Sequence, residues 1–327
     1  MTRWTRKDLL GLEELSQEEI TLILEQAKAF QEISLRPIKK VPALRGRTVV
    51  LSFLEPSTRT RASFELAAKR LSADLLQIAP SSSSLVKGET ILDTFRNIEA
   101  MHVDIVVIRH NASGVPAMVG RAIGPSVINA GDGSHEHPTQ GLTDLFTVQE
   151  KKGKIQGLNV LIVGDILHSR VARSDFWGFH KLGARVTFCG PPTLVPAHFE
   201  TLGAKISYRL EEALPGADVL IALRLQRERQ EERTIPSLRE YTRLYGIDQE
   251  KLNHAKKDLL LMHPGPVNRG IELSPDVADG PQSVILEQVT NGIAVRMAVL
   301  YLVAGAHPAD LPEPTPEPKS PRPVEVG

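Results

Sequence analysis

Two doubly wound parallel α/β sheets in succession, with a cleft between them, are the fold predicted for this chain, on three observations. Short β-branched or apolar runs alternate with segments of helical periodicity, once on each side of the charged, glycine-containing stretch Glu150-Lys151-Lys152-Gly153-Lys154. At 327 residues the chain is long enough for two domains, each with its own core. The polar clusters fall just after the strand-like runs, where open parallel sheets bind their ligands.

The elements follow in order. Ser16 and Glu19 make a capping-box pattern ahead of Ile20, Ile23, Leu24, Ala27 and Phe30 on one face, so the first element is a helix. Strand-like runs lie at 48–53, 75–79, 103–108 and 126–129, and a second series at 159–163, 185–189, 218–222 and 259–262. From Val284 to Val303 a long apolar segment, interrupted by Asn291-Gly292 and Arg296, reads as a final helix at about 284–304 packed back on the first unit. Pro308 to Gly327 then holds seven prolines among charged and small residues, too little apolar surface to offset the entropy of ordering. The expected division is therefore a first domain over 1–150, a second over 151–305 and a disordered tail over 306–327.

Composition narrows the function classes. Basic and acidic residues are equal at 39 each, which gives no overall attraction to nucleic acid or to a membrane surface, so local cationic clusters need local explanations. The single cysteine, Cys189, excludes an intrachain disulfide framework, argues against a thiolate zinc site and sits in an apolar run. The first residues lack the apolar core of a signal peptide, and no run approaches the length of a membrane span. A cytoplasmic protein is expected.

The most informative cluster is Phe53-Leu54-Glu55-Pro56-Ser57-Thr58-Arg59-Thr60, between a strand-like run and a helical one. A helix starting near Ser57 exposes unpaired N–H groups and the positive end of its dipole, to which the chain adds three hydroxyls and a guanidinium; that suits a phosphate. The alternative is that Ser57 or Thr58 merely caps the helix. Arg59 and Arg61 weigh against it, since cations in a first turn oppose the dipole unless an anion is bound. The glycines and lysine of a nucleotide loop are absent.

The other clusters repeat the placement. Ser81 to Glu89 is a polar loop containing Lys87. Arg109 directly follows an apolar strand, and guanidinium is a natural bidentate partner of phosphate. His137-Pro138-Thr139-Gln140 follows a glycine turn, with Pro138 preset for a first helical position and His137 favoured as a polarising donor. His135 reads as a surface residue, and one His-x-His pair is weak grounds for a metal. Gly164-Asp165 lacks the rest of the dinucleotide fingerprint, which disfavours a nicotinamide cofactor. Arg170, Arg173 and the run Arg224-Leu225-Gln226-Arg227-Glu228-Arg229 suggest an anionic second substrate with more than one carboxylate.

Together these motifs resemble the aspartate and ornithine carbamoyltransferase family over about residues 5 to 305, the Ser57 motif being similar to its carbamoyl-phosphate signature and His137-Pro138-Thr139-Gln140 to its second shared motif. Arg224-Leu225-Gln226 with Glu228-Arg229, and His263-Pro264-Gly265-Pro266-Val267-Asn268-Arg269, are similar to the aspartate enzymes; ornithine enzymes typically carry a cysteine where this chain has Pro264. The resemblance implies that Ser57, Thr58, Arg59, Thr60 and Arg109 hold the phosphate of carbamoyl phosphate. Arg59, Thr60 and His137 would donate to its carbonyl oxygen as the catalytic set. Gln140 and the backbone carbonyls of Pro264 and Gly265 would fix its amino group, and Arg170, Arg224 and Gln226 would bind the aspartate carboxylates. Ser83 and Lys87 would reach the site of a neighbouring subunit, Lys87 touching both substrates, which implies a homotrimer.

No metal, cofactor, nucleic acid or membrane is expected; regulatory chains or dihydroorotase-like partners are compatible with the resemblance. A carbamoyl transfer in pyrimidine synthesis is the implied reaction. Phosphate itself is the expected acceptor of the amine proton, since no protein base stands out. The competing reading is a catalytically reduced subunit that binds phosphate ligands and organises partners. Two departures from the family pattern stand out. Val171 replaces a threonine of some aspartate enzymes, implying a slightly altered second-substrate pocket, and Gly265 replaces a larger residue, implying a looser loop.

Overall fold

The computed structural model describes residues 3–78, 88–226 and 237–305. In the first half, α1 (Gln17–Ser34) is followed by β1 (Thr48–Phe53), α2 (Thr58–Arg70), β2 (Asp74–Ile78), α3 (Ile91–Glu99), β3 (Ile105–His110), α4 (Val115–Ala122), β4 (Ser126–Asp132) and α5 (Pro138–Lys152). The second half holds β5 (Asn159–Val163), α6 (Arg170–Lys181), β6 (Arg185–Cys189), β7 (Lys205–Ser207), α7 (Leu210–Ala213), β8 (Val219–Ala222), α8 (Leu238–Tyr245), α9 (Gln249–Leu252), β9 (Leu260–Met262), α10 (Pro275–Ala278) and α11 (Ile285–Val303). The expected doubly wound α/β class is what forms: two all-parallel sheets, in the orders β2-β1-β3-β4 and β7-β6-β5-β8-β9.

Strand β1 is buried at every position after Thr48, as a central parallel strand covered on both faces should be, whereas β2 lies at the sheet edge and is largely exposed. The run expected at 103–108 is shifted to end at His110, and that expected at 126–129 is lengthened to end at Asp132, so both carry polar residues to the strand ends. Strand β7 was not expected; three residues on an edge are too short to show a period.

The final helix expected at about 284–304 forms as α11, with Asn291 donating to Thr147 Oγ1 at 3.1 Å and the Arg296 guanidinium returning to the Gly292 carbonyl at 2.8 Å. The helix is buried all round from Ala294 to Val303 and packs on α1, α2 and α5 of the first half, as well as on β9. One difference concerns the core, which is not wholly separate in each unit. One apolar cluster runs from α1 and β1 through α5, α6 and α11 to β5 and β8, with smaller clusters on the outer faces of the two sheets. The tail over 306–327 lies outside the described residues.

Candidate active site

In each sheet the chain order reverses beside the first strand: β1 is flanked by β2 and β3, and β5 by β6 and β8. Ligands bind outside the carboxyl ends of strands at such switch points. The Ser57 turn follows β1 and Arg109 is the penultimate residue of β3, while Asp165 follows β5 and Arg224 follows β8. The register confirms the first pairing, with Phe53 opposite Arg109 and the Leu54 N–H donating to the Arg109 carbonyl at 2.9 Å.

Ser57 is the N-cap of α2, yet its side chain makes no capping hydrogen bond, and no acidic residue occupies the first turn. Capping alone therefore does not account for the motif. Thr60 is buried. The Arg59 guanidinium lies against the backbone of Gly265: a Cβ built there would stand 2.9 Å from Arg59 Cζ. With φ +70° and its N–H donated to His263 Nδ1 at 2.7 Å, Gly265 is a fitted contact rather than a loose one. The Arg59 guanidinium holds its proton less tightly than usual, through burial first and then repulsion by Arg224.

Arg109 and Arg170 meet at one carboxylate. Arg170 grips Glu55 with two bonds, at 3.0 and 2.7 Å, and Arg109 reaches the same group at 3.3 Å. Gly131 makes room for both, since a Cβ there would lie 3.1 Å from Arg170 Nε and 3.3 Å from Arg109 Nη1. Glu55 lies within the Ser57 motif, and an acid in a turn otherwise suited to an anion is the sequence signal that singles it out.

His137 is the N-cap of α5, with Pro138 as the first helical residue. Its backbone N–H is held by Ser174 Oγ at 2.9 Å, and Ser174 in turn donates to Glu136 at 2.7 Å. The imidazole is buried and its pKa falls well below the usual value, chiefly by desolvation, with Arg109, Arg170 and Arg296 adding repulsion. It is thus neutral near pH 7, able to donate one N–H without giving up a proton. One turn on, Gln140 donates to Asp144 Oδ1 at 2.9 Å.

On the opposite side Arg224 and Gln226 are half-buried, and Gln226 donates to the His168 carbonyl at 3.3 Å. Arg173 turns away from the cleft, reaching the Leu167 carbonyl at 3.1 Å and lying over the Phe199 ring, because its position on α6 faces the loop behind. Arg61 is also elsewhere, on the exposed side of α2 near Glu65. Val171 is partly buried and packs against the central core. Ser83, Lys87, Arg227, Glu228 and Arg229 lie outside the described residues.

His135 is half-exposed beside Asp132 at 3.1 Å. Its ring and the Glu13 and Glu136 carboxylates come within 4.8 Å of one another. The Glu136 carboxylate already has structural work, accepting from the Leu12 and Glu13 N–H groups and from Ser174. No described helix is long and apolar enough to cross a membrane.

Cationic groups brought together from two facing switch points define a two-domain α/β protein built for anionic ligands. Residues 7–150 match the family model for the carbamoyl-P binding domain of aspartate/ornithine carbamoyltransferases, and residues 156–303 match its Asp/Orn binding domain. The chain belongs to the aspartate/ornithine carbamoyltransferase family. It is 60% identical over 298 residues to the aspartate carbamoyltransferase catalytic subunit of Syntrophobacter fumaroxidans, covering 91% of this chain and 98% of that one. To the subunit of the same name from Moorella thermoacetica it is 59% identical over 303 residues, covering 93% and 99%.

Among solved structures it is similar to the Trypanosoma cruzi aspartate transcarbamoylase in complex with carbamoyl phosphate and aspartate, at TM-score 0.83 and 28% identity over 91% of this chain and 97% of that one. The ornithine carbamoyltransferase of Pyrococcus furiosus also superposes at TM-score 0.83, with 32% identity over 94% of this chain and all (100%) of that one. Backbone likeness therefore marks the family, and the choice between second substrates rests on the sequence relatives and the side chains.

Proposed function

We propose that this chain is an aspartate carbamoyltransferase, transferring the carbamoyl group of carbamoyl phosphate to the amine of L-aspartate to give N-carbamoyl-L-aspartate and phosphate in pyrimidine synthesis. The observation that carries this reading is the contact of Arg59 with Gly265 across the cleft, beside Arg224. It brings a phosphate-binding helix start against the loop that would hold the carbamoyl group, with a further cation on the second-substrate side. Arg224 and Arg170 suit a dicarboxylate, whereas the cationic side chain of ornithine would be repelled there.

The residues divide the work as follows. Ser57, Thr58, Arg59, Thr60 and Arg109 hold the phosphate, with the open N–H groups of α2 beneath it. The uncharged aspartate amine attacks the carbonyl carbon. Arg59, Thr60 and the neutral His137 donate to the oxygen as it gains charge, which fixed donors stabilise more than water can. The bond from carbon to the phosphate oxygen breaks, and the amine proton passes to the departing phosphate. Gln140 with the carbonyls of Pro264 and Gly265 fixes the carbamoyl amino group, and Arg170, Arg224 and Gln226 bind the aspartate carboxylates. Glu55 keeps Arg109 and Arg170 side by side. Ser83 and Lys87 of a neighbouring copy complete the site in a homotrimer, a cytoplasmic assembly compatible with regulatory or dihydroorotase-like partners.

Assay of carbamoyl phosphate with aspartate and with ornithine tests the reading: carbamoylaspartate should form and citrulline should not. Replacing Arg59 by Ala should lower kcat by roughly 100- to 1,000-fold while the fold persists, in line with loss of one oxyanion donor. Citrulline formation without carbamoylaspartate would overturn the aspartate assignment, and a folded but inactive wild-type chain would favour a phosphate-binding subunit instead.

A further inference from the structure

A carbamoyl amino group only donates hydrogen bonds, so a site that selects it must present acceptors and keep them from turning. On the reading above those acceptors are the side-chain oxygen of Gln140 and two loop carbonyls. An amide side chain presents oxygen or nitrogen depending on its flip, and the flip is set by what its other end touches.

Both ends of this problem meet at one buried carboxylate. Asp144 lies one helical turn from Gln140 on α5, is fully buried (0% exposed) and accepts on Oδ1 from two amides: Gln140 at 2.9 Å and Gln288 of α11 at 2.7 Å. With its nitrogen committed to a carboxylate, Gln140 must turn its oxygen the other way. Gln288, its nitrogen likewise committed, uses its oxygen to accept the backbone N–H of His263 at 3.0 Å, the residue directly before Pro264 and Gly265. The His263 ring then accepts the Gly265 N–H at 2.7 Å.

Asp175 of α6 braces the hub from behind. Asp144 Oδ2 and both Asp175 oxygens find no other hydrogen-bond donor among the described residues, and the two carboxyls face each other. Two carboxylates in contact in a dry site cannot both ionise, so they share one proton. Burial raises both groups, Asp144 to about 7 and Asp175 well above its usual range, so the pair holds a shared proton while Asp144 Oδ1 keeps its two amide donors. Arg296, also buried, adds a favourable charge.

We propose that Asp144, braced by Asp175, is the positioning residue for the carbamoyl amino group: it fixes the flip of Gln140 directly and anchors the His263–Gly265 loop through Gln288. This rests on the carbamoyltransferase reading.

The test compares binding of carbamoyl phosphate with acetyl phosphate, which carries a methyl group in place of the amino group, by calorimetry on the intact protein. Asp144→Ala should lose roughly tenfold or more in affinity for carbamoyl phosphate while acetyl phosphate changes by less than about twofold. Asp144→Asn should keep the preference, because its nitrogen can donate to an Asp175 oxygen while its oxygen still accepts from both glutamines. If Asp144→Ala does not fold, Gln288→Met decides on the same ratio. Parallel losses for both ligands, no loss in a folded variant, or an Asp144→Asn as damaged as Asp144→Ala would overturn the proposal. Turnover of carbamoyl phosphate and aspartate by the wild type checks the underlying reading separately; its failure would take the proposal with it.

Discussion

His137 shows how a single residue is tuned by its surroundings. In the unfolded chain an imidazole takes up a proton near pH 6.5, but in the fold its pKa is driven well below that by burial and neighbouring arginines. The unfolded state therefore binds more protons as pH falls, so this group's contribution to stability is intact above about pH 6.5 and is lost progressively below it. Urea unfolding between pH 7.5 and 5.5 should be less steeply pH-dependent in His137→Gln, by up to about 1.4 kcal/mol per pH unit; equal slopes would contradict it.

Gly265 gives a second prediction at this scale. A Cβ at φ +70° is strained, and at 2.9 Å from Arg59 Cζ it makes the far end of that side chain give way, so Gly265→Ala should cost about 1 kcal/mol of stability and lower kcat by a few-fold. Steady-state kinetics beside a thermal melt separates the two effects. What the sequence showed of these residues was their chemistry. That Gly265 touches Arg59, more than two hundred positions away in the chain, has no local signature.

Secondary structure was legible wherever local chemistry decided it. The opening helix is the plainest case: Ser16 Oγ accepts the Glu19 N–H at 3.2 Å and Glu19 returns a bond to the Ser16 N–H at 2.8 Å, the full capping box that the four-residue pattern signals. Ser16→Ala should cost about 1 kcal/mol in chemical denaturation, with the slope of the transition unchanged. The central strands announced themselves by β-branched runs because both of their faces are buried.

Element-level reading failed where context ruled. What the apolar run of α11 does not show is how its polar residues are held: Asn291 by Thr147 of α5, and Arg296 by the Gly292 carbonyl of its own helix. The Asp144, Asp175 and Gln288 cluster was invisible for the same reason. Its three members come from three helices, and nothing near any of them in the chain names the others.

For the whole molecule, the proposed trimer makes a prediction that the isolated chain cannot satisfy. If Lys87 serves a neighbour's site while Arg109 serves its own, then Lys87→Ala and Arg109→Ala are each inactive, yet mixed and reassembled they should regain a substantial fraction of activity, because some sites then hold both native residues. Recovery no greater than the sum of the parents would argue for self-contained sites, and light scattering would report the assembly directly. The two-sheet architecture and the strand-end placement of the cationic clusters were readable from alternation alone. The continuous inner core was not, since periodicity shows that a face is buried but not what covers it.

The return of α11 onto α1, α2 and α5 restricts how this protein can be cut and recombined. A fragment ending near Lys152 would leave bare the surfaces of the first half that α11 covers, and the complementary fragment would carry an apolar helix with no seat. The two halves are thus not interchangeable modules despite their separate sheets. A chimaera that borrows the second half from a relative must bring in a compatible α11 or redesign the three helices against which it packs.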